Sequence, residues 1–346
     1  MSVEMTVDAR ADEPVEPPRL RSAPRARAIL PVLERYALVV LLGVLIAFFA
    51  LLPSTADAFL TVANIRNVAA NEVVIAIAAL AALLPLIGGQ FDVSVGAVLG
   101  MVSVAVAALI TRTGVPLALA VPIGVAMGAA VGAVNGYVVA YLRTSSFVIT
   151  LGTATLVGGL VSLYTKDQVI LGIPQSMVDF GTLNWLGVPR VVWLLVVVAF
   201  GIAYLLRHTV YGRQLLSVGA NPSSARLVGI RVPLVVMLSF VAAGALAGVA
   251  GVVELARTGS GNPQVGPGYT LSALAAAFLG STTIRPGRFN VPGTIVGVFF
   301  VAVSVNGLTL AGAADWVDPV FNGAAVVIAV AASTVLAHRR GTVAEA

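Results

Sequence analysis

Few side chains in this sequence could do chemistry, and their types restrict what that chemistry is. Asn71, Glu72, Asp92, Asn135, Thr150, Thr153, Glu254 and Asn306 are the polar residues within or beside long apolar runs. An amide or ionisable group in such a run costs free energy unless it faces a protein interior or water, so each is a candidate for meeting a ligand. Glu72, Asp92 and Glu254 fall near the ends of their runs, where contact with water explains them equally well. Asn135 and Asn306 lie deeper and could hydrogen-bond either a polar ligand or a neighbouring helix. No run carries a central carboxylate, lysine or arginine, which weighs against a carrier coupled to protons or sodium.

Other reactions lack their reagents. The chain has no cysteine, and its two histidines, His208 and His338, sit beside arginines at the ends of apolar runs. Thiolate metal sites and disulfides are excluded, and neither a metal site nor a nucleophile triad is indicated. The only lysine, Lys166, follows Tyr164 and Thr165, so the phosphate-cradling pattern G-x-x-x-x-G-K-[ST] is missing. This chain alone therefore has no means of hydrolysing ATP, and no cofactor is expected.

The most informative polar stretch runs from Arg207 to Arg231, with arginines at 207, 213, 226 and 231. Burying each in hydrocarbon would cost roughly 2.5–3.5 kcal/mol, so the stretch belongs in water between two membrane spans. Asn221 reads as a helix cap with Pro222 in the first turn, and Ala225 to Ile230 continues the helix for about two turns. A short helix outside the bilayer is a docking element, expected to receive a motor protein that the chain itself lacks.

The elements around it are membrane helices. Hydrophobic residues make up 59% of the 346 and charged ones 10%, and the mean hydropathy is +1.01. The fold class is an all-α polytopic membrane bundle of about ten spans. They are expected at 36–52, 68–87, 94–111, 115–141, 146–165, 191–206, 232–253, 269–284, 292–311 and 317–336. Residues 1–30, rich in proline, acids and arginine, read as a disordered tail; 31–337 read as the membrane domain and 338–346 as a second tail. The run from Tyr36 to Leu52 is longer than a signal-peptide core of about 7–15 residues and reads as a retained span. With both termini in the cytoplasm, 15 of the 20 basic residues fall inside and 5 outside, as positive-inside bias requires. The basic balance is thus a matter of orientation, and no nucleic-acid partner is indicated.

Within the spans, Gly124, Gly128, Gly132 and Gly136 recur every four residues on one helix face. Such a stripe lets a second helix approach closely and gain dispersion contacts, so a packing seam is expected. Pro116 and Pro122 mark the same span for a tilt or kink. The eighth span is short, and short helices in transporters often border the pathway. Gly89-Gln90-Phe91-Asp92-Val93 is echoed by Gly287-Arg288-Phe289-Asn290-Val291.

Four stretches resemble the ribose-type permeases of bacterial ABC importers. Residues 88–96 (GGQFDVSVG) resemble that family's glycine-aspartate-serine signature, and 135–152 (NGYVVAYLRTSSFVITLG) its asparagine-glycine to threonine-leucine-glycine stretch. The segment YGRQLLSVGANPSSARLVGIRV resembles its cytoplasmic coupling segment, and 266–293 with 306–310 its last block. The resemblance implies a permease of the bacterial inner membrane working with a second permease copy, cytoplasmic ABC ATPases and an extracytoplasmic solute-binding protein. It implies that Asn221, Pro222, Ala225, Arg226, Gly229 and Ile230 form the helix seated on the ATPase. Asp92 and Ser94 would stand near the inner half of a pathway that Asn135, Thr150 and Asn306 also border. Gln90-Phe91, Ser272 and Pro286 depart from the family pattern, which leaves pentoses, hexoses, polyols, nucleosides and branched-chain amino acids open as solutes. A carrier driven by an ion gradient is the rival from another class.

Overall fold

The computed structural model describes residues 26–331, apart from 315, 318, 329 and 330. In chain order it contains α1 (Ala26–Leu51), the single turn α2 (Ala56–Phe59), α3 (Val62–Ile87), α4 (Val95–Thr111), α5 (Leu117–Tyr141), α6 (Ser146–Thr165) and α7 (Gln175–Thr182). A two-residue hairpin, β1 (Asn184–Trp185) and β2 (Val188–Pro189), leads into α8 (Arg190–His208), α9 (Val210–Ala220), α10 (Pro222–Leu227), α11 (Val232–Thr258), α12 (Gly266–Gly280) and α13 (Val291–Leu310). A last apolar helix, α14, covers Pro319–Ile328.

Six helices, α3, α5, α6, α8, α11 and α13, are long and apolar enough to cross a membrane. The protein is therefore a helical, multi-pass membrane protein. Helix is present in each of the ten stretches expected to span, although the end of the last, with His338 and the 338–346 tail, lies outside the described residues. Helix α1 begins at Ala26, inside the stretch expected to be a tail. Helix α12 covers Gly266–Gly280 rather than 269–284: Pro267 starts it early, and Ser281 caps it at the end. Its 15 residues rise only about 22 Å, short of a hydrocarbon core of about 30 Å.

Equally apolar helices take different places in the bundle. In α3, 83% of the most apolar window is buried, against 22% in α5, α6 and α8. Apolarity cannot choose between lipid and protein interior; the packing of neighbouring helices does. Ala76, Ala78, Ala79, Ala81 and Ala82 are all buried, and they let α11, α12, α13 and α8 close around α3. Helix α3 stops where Gly88 caps it and Gly89 turns the chain at φ +76°.

The glycine stripe lies on a helix contact. Gly128 abuts the Gly244 carbonyl, Gly132 that of Phe240 and Gly136 that of Met237, all on α11. Gly124 instead meets Val102 and Val106 of α4. Gly96 and Gly100 likewise bring α4 against Gly266 at the start of α12.

The echoed pentapeptides occupy matching places, one before α4 and the other before α13. Phe91 and Phe289 both pack on the Phe278 ring, with centroids at 5.9 and 5.4 Å. Asp92 Oδ1 accepts the Ser94 N–H at 2.9 Å, and Asn290 Oδ1 accepts the Gly293 N–H at 2.8 Å. Each side chain thus satisfies an otherwise unpaired amide at a helix start.

Candidate functional site

The arginine-bearing stretch forms two helices, the expected one after Asn221 and a second, α9, before it. Thr209 Oγ1 caps α9 by accepting the Gly212 N–H at 3.1 Å. Gly212 itself lies against the Leu205 and Leu206 backbone, which allows α9 to fold sharply back from α8. Leu215 and Val218 are buried, with Gly219 against the Ile87 carbonyl and Leu215 beside Gly88. The Tyr211 hydroxyl donates to the Val235 carbonyl at 3.3 Å, and burial pushes its phenol above the ordinary range. The segment is therefore seated on the ends of α3 and α11.

In α10, Asn221 Oδ1 accepts the Ser223 and Ser224 N–H groups at 2.9 and 3.0 Å, and Pro222 follows it as expected of a helix start. The helix ends at Leu227 and does not continue to Ile230. Gly229, at φ +82°, takes the left-handed conformation that glycine permits, and the Ile230 N–H returns to the Ala225 carbonyl at 3.0 Å. Ala225 is buried and Ile230 partly so, while Asn221, Pro222, Arg226 and Gly229 are exposed. The tip is finished by Leu227 and Val228, 88% and 76% exposed. Sequence reading passed over these two, although an apolar pair in a solvated turn is itself a sign of a partner.

Above α3's end, the linker 88–94 is tied down by polar side chains from α5 and α6. The Ser94 hydroxyl donates to Asp92 Oδ1 at 2.6 Å, Asn135 Nδ2 donates to Ser94 Oγ at 3.0 Å, and the Thr153 hydroxyl donates to Asn135 Oδ1 at 2.6 Å. The Val93 N–H donates to Thr150 Oγ1 and the Phe91 N–H to Ser146 Oγ, both at 3.0 Å. Asp92, Ser94, Asn135 and Thr150 are each no more than 2% exposed. The structure thus gathers four of the five expected pathway residues around one linker, with Asp92, Ser94 and Asn135 in a chain of hydrogen bonds and Thr150 holding the Val93 N–H beside it. Sequence reading missed Ser146.

Val93 opens from this knot onto a cavity of about 600 Å³ between α4, α6 and α12, lined by Met101, Phe147, Thr155, Gln264 and Thr270. Gly158 and Gly159 of α6 also line it, and a side chain added at either would meet nothing within 4 Å.

Asn306 lies elsewhere, in a cavity of about 230 Å³ formed by α3, α12 and α13 and lined by Asn67, Asn71, Glu72, Ser272, Asn306 and Thr309. Asn71 precedes Ile87 by 16 residues on α3, roughly 24 Å along the helix, so this cavity is at the end remote from α9 and α10. Asn306 and Asn64 exchange amide hydrogen bonds at 2.9 and 3.2 Å. Asn71 accepts from Arg257 and donates to Asn67 Oδ1 at 3.2 Å. The Tyr269 hydroxyl donates to Glu254 Oε2 at 2.7 Å. Reciprocal amide pairing fixes which way Asn306 points and leaves its amide a further N–H and lone pair for a guest, whereas the second Asn64 N–H is taken by the Phe59 carbonyl at 2.9 Å. Among the described residues lining this cavity, none is basic. Among the described residues no cluster of acidic, histidine or cysteine side chains could hold a metal.

Comparison with known proteins decides the family. Residues 64–330 match the family model described as branched-chain amino acid transport system / permease component. The chain belongs to this permease family. It is 34% identical over 290 residues to the ribose import permease protein RbsC of Escherichia coli (strain K12), spanning 83% of this chain and 90% of that one. It is 36% identical over 275 residues to RbsC of Bacillus subtilis (strain 168), spanning 79% and 85%. The L-arabinose transport system permease protein AraH of Escherichia coli (strain K12) is 30% identical over 298 residues, spanning 86% and 89%. These are ABC permeases of the ribose type that the sequence resembles. No solved structure matches the chain.

Proposed function

We propose that this chain is the membrane-spanning subunit of an ATP-driven importer that carries a monosaccharide or a similar small polar solute into a bacterial cell. In this reading the spans number ten and both termini are cytoplasmic. Two permease copies, identical or related, receive the solute from an extracytoplasmic binding protein. Cytoplasmic ABC ATPases pull on Asn221, Pro222, Ala225, Arg226, Gly229 and Ile230, and the bundle alternates between outward and inward openings. A two-state bundle shifts only by differential interaction energy, which ATP binding at the partner supplies.

The observation that carries this reading is the exposed tip of α10, standing on α9, which is itself packed on the buried axis α3. Motion imposed there reaches Gly88 and the Asp92–Ser94–Asn135 knot through direct contact. The glycine seam of α5 and α11, lacking side chains, gives the helices a surface on which to slide. Relatives named for ribose and arabinose support a sugar as the solute.

A second reading follows from the family description itself, a branched-chain amino acid as cargo. The observations favour it less, since the relatives above are named for ribose and arabinose. Amides and hydroxyls suit a neutral polyol.

The deciding experiment is uptake into proteoliposomes holding the permease, its ATPases and its binding protein. D-ribose, L-arabinose, a nucleoside and L-leucine would be offered with and without ATP. ATP-dependent accumulation of a sugar is expected. Accumulation of leucine alone, or transport by the permease without its ATPases, would overturn the proposal.

A further inference from the structure

Three arginines from three separate elements converge on one cleft at the end of the bundle that carries α9. Arg207 closes α8, Arg213 belongs to α9, and Arg285 comes from the turn between α12 and α13; all three line a cavity of about 290 Å³. All three are exposed, and among the described residues lining the cleft none is a carboxylate. The remaining wall is largely apolar, with Ile87, Leu206, Leu216 and Phe289. Three like charges held around one space repel one another unless an anion joins them, and the apolar wall favours an anion with a hydrocarbon part.

The approach to the cleft has the same two characters. Val196, Phe200 and Tyr204 are 53%, 72% and 54% exposed and share a face of α8 with Arg207, being separated from it by whole turns or nearly so. Trp193 stands further along this face at the opposite end of α8, where it packs edge-on against Trp185. A helix with tryptophan at one end, an apolar face between and arginine at the other is matched to a bilayer, with the arginine at the headgroups of the leaflet on the α9 side.

We infer that the Arg207–Arg213–Arg285 cleft is a binding site for the headgroup of one anionic phospholipid, whose acyl chains run along the exposed face of α8. A bare phosphate could satisfy the arginines but would leave the apolar wall and the α8 face uncovered. A carboxylate-bearing partner protein would also satisfy the charges, yet it would have to enter beside a surface suited to lipid. The lipid would brace α8, α9 and the α12–α13 turn together, next to the place where Gly219 meets Ile87.

The test uses the full-length permease, stripped of lipid in detergent and titrated separately with phosphatidylglycerol and phosphatidylcholine. Bound lipid would be counted by native mass spectrometry. One phosphatidylglycerol per chain should be retained at least tenfold more tightly than phosphatidylcholine. The triple variant R207Q/R213Q/R285Q should lose that preference, whereas Arg231→Gln, outside the cleft, should keep it. If the triple variant fails to insert, the three single variants serve, each expected to weaken retention severalfold. Equal retention of the two lipids overturns the inference. So does displacement of phosphatidylglycerol by inorganic phosphate at equal concentration, which would mean a site for the free anion. Loss of the lipid when the ATPase subunits are added would assign the cleft to a protein partner and overturn it as well.

Discussion

Gly219 of α9 lies directly against the carbonyl of Ile87, the last residue of α3, with no room between them for a methyl group. The contact joins a solvated segment to the most buried helix of the bundle without any intervening side chain. Gly219→Ala must separate the two elements at a cost of roughly 1–3 kcal/mol. ATP-driven uptake should fall at least tenfold while the chain still inserts and purifies. Unchanged uptake in proteoliposomes would show that force does not pass through this contact.

The bundle was legible because apolar runs and glycine spacing are local signals, and each survives in the structure at its own position. Asn221 and Pro222 likewise announced the start of α10 by type alone, but its end was misplaced: the helix stops at Leu227, and Gly229, read as part of it, turns the chain after it. What could not be read was which helix would be central. The most apolar stretches of α3 and α8 have nearly equal hydropathy, and only the tertiary packing separates an axis from a more exposed wall. The same holds for the candidate site. Asp92, Asn135 and Thr150 were picked one by one as costly polar residues, but their union with Ser146 and Thr153 depends on α5 and α6 meeting the 88–94 linker. Asn306, chosen by the same criterion, belongs to a different cavity.

The glycine seam makes a contrast testable within one helix family. Gly128→Ala places a methyl group against the Gly244 carbonyl, whereas Gly158→Ala on α6 places it in open space. The first should lower stability by about 1–3 kcal/mol. The second should leave it unchanged or slightly improved, since alanine is the better helix former. Thermal unfolding in detergent, followed by loss of monodisperse protein, compares them. Equal melting temperatures for the two variants would mean that α5 and α11 are not in backbone contact.

Asn135 is the middle of the buried hydrogen-bond chain, donating to Ser94 and accepting from Thr153. Asn135→Leu removes a partner from both neighbours, and an unpaired buried polar group costs about 1–3 kcal/mol. Thr153→Val alone should cost less, because it leaves the Asn135–Ser94 bond in place. In the double variant the losses should be less than additive by about 0.5 kcal/mol or more, the signature of residues in direct contact. Strict additivity in thermal melts would argue that the chain of bonds does not form.

The tip of α10 gives the sharpest test of the proposed coupling, because its residues do different physical work. Asn221→Ala removes the side-chain oxygen that accepts two backbone N–H groups and should destabilise the local helix by about 1 kcal/mol, a mild defect. Arg226 is exposed and its charge supports no described ion pair, so Arg226→Glu should leave folding intact. If an ATPase cleft receives this tip, the reversed charge should reduce ATP-driven uptake at least tenfold, and Leu227→Asp should do the same by placing a charge on an apolar contact. The natural chain has no cysteine, so Arg226→Cys can also be labelled singly with a membrane-impermeant thiol reagent. Labelling only from the cytoplasmic face, and protection once the ATPases assemble, are the expected results. Labelling from outside, or full uptake by Arg226→Glu and Leu227→Asp alike, would remove the tip from the mechanism.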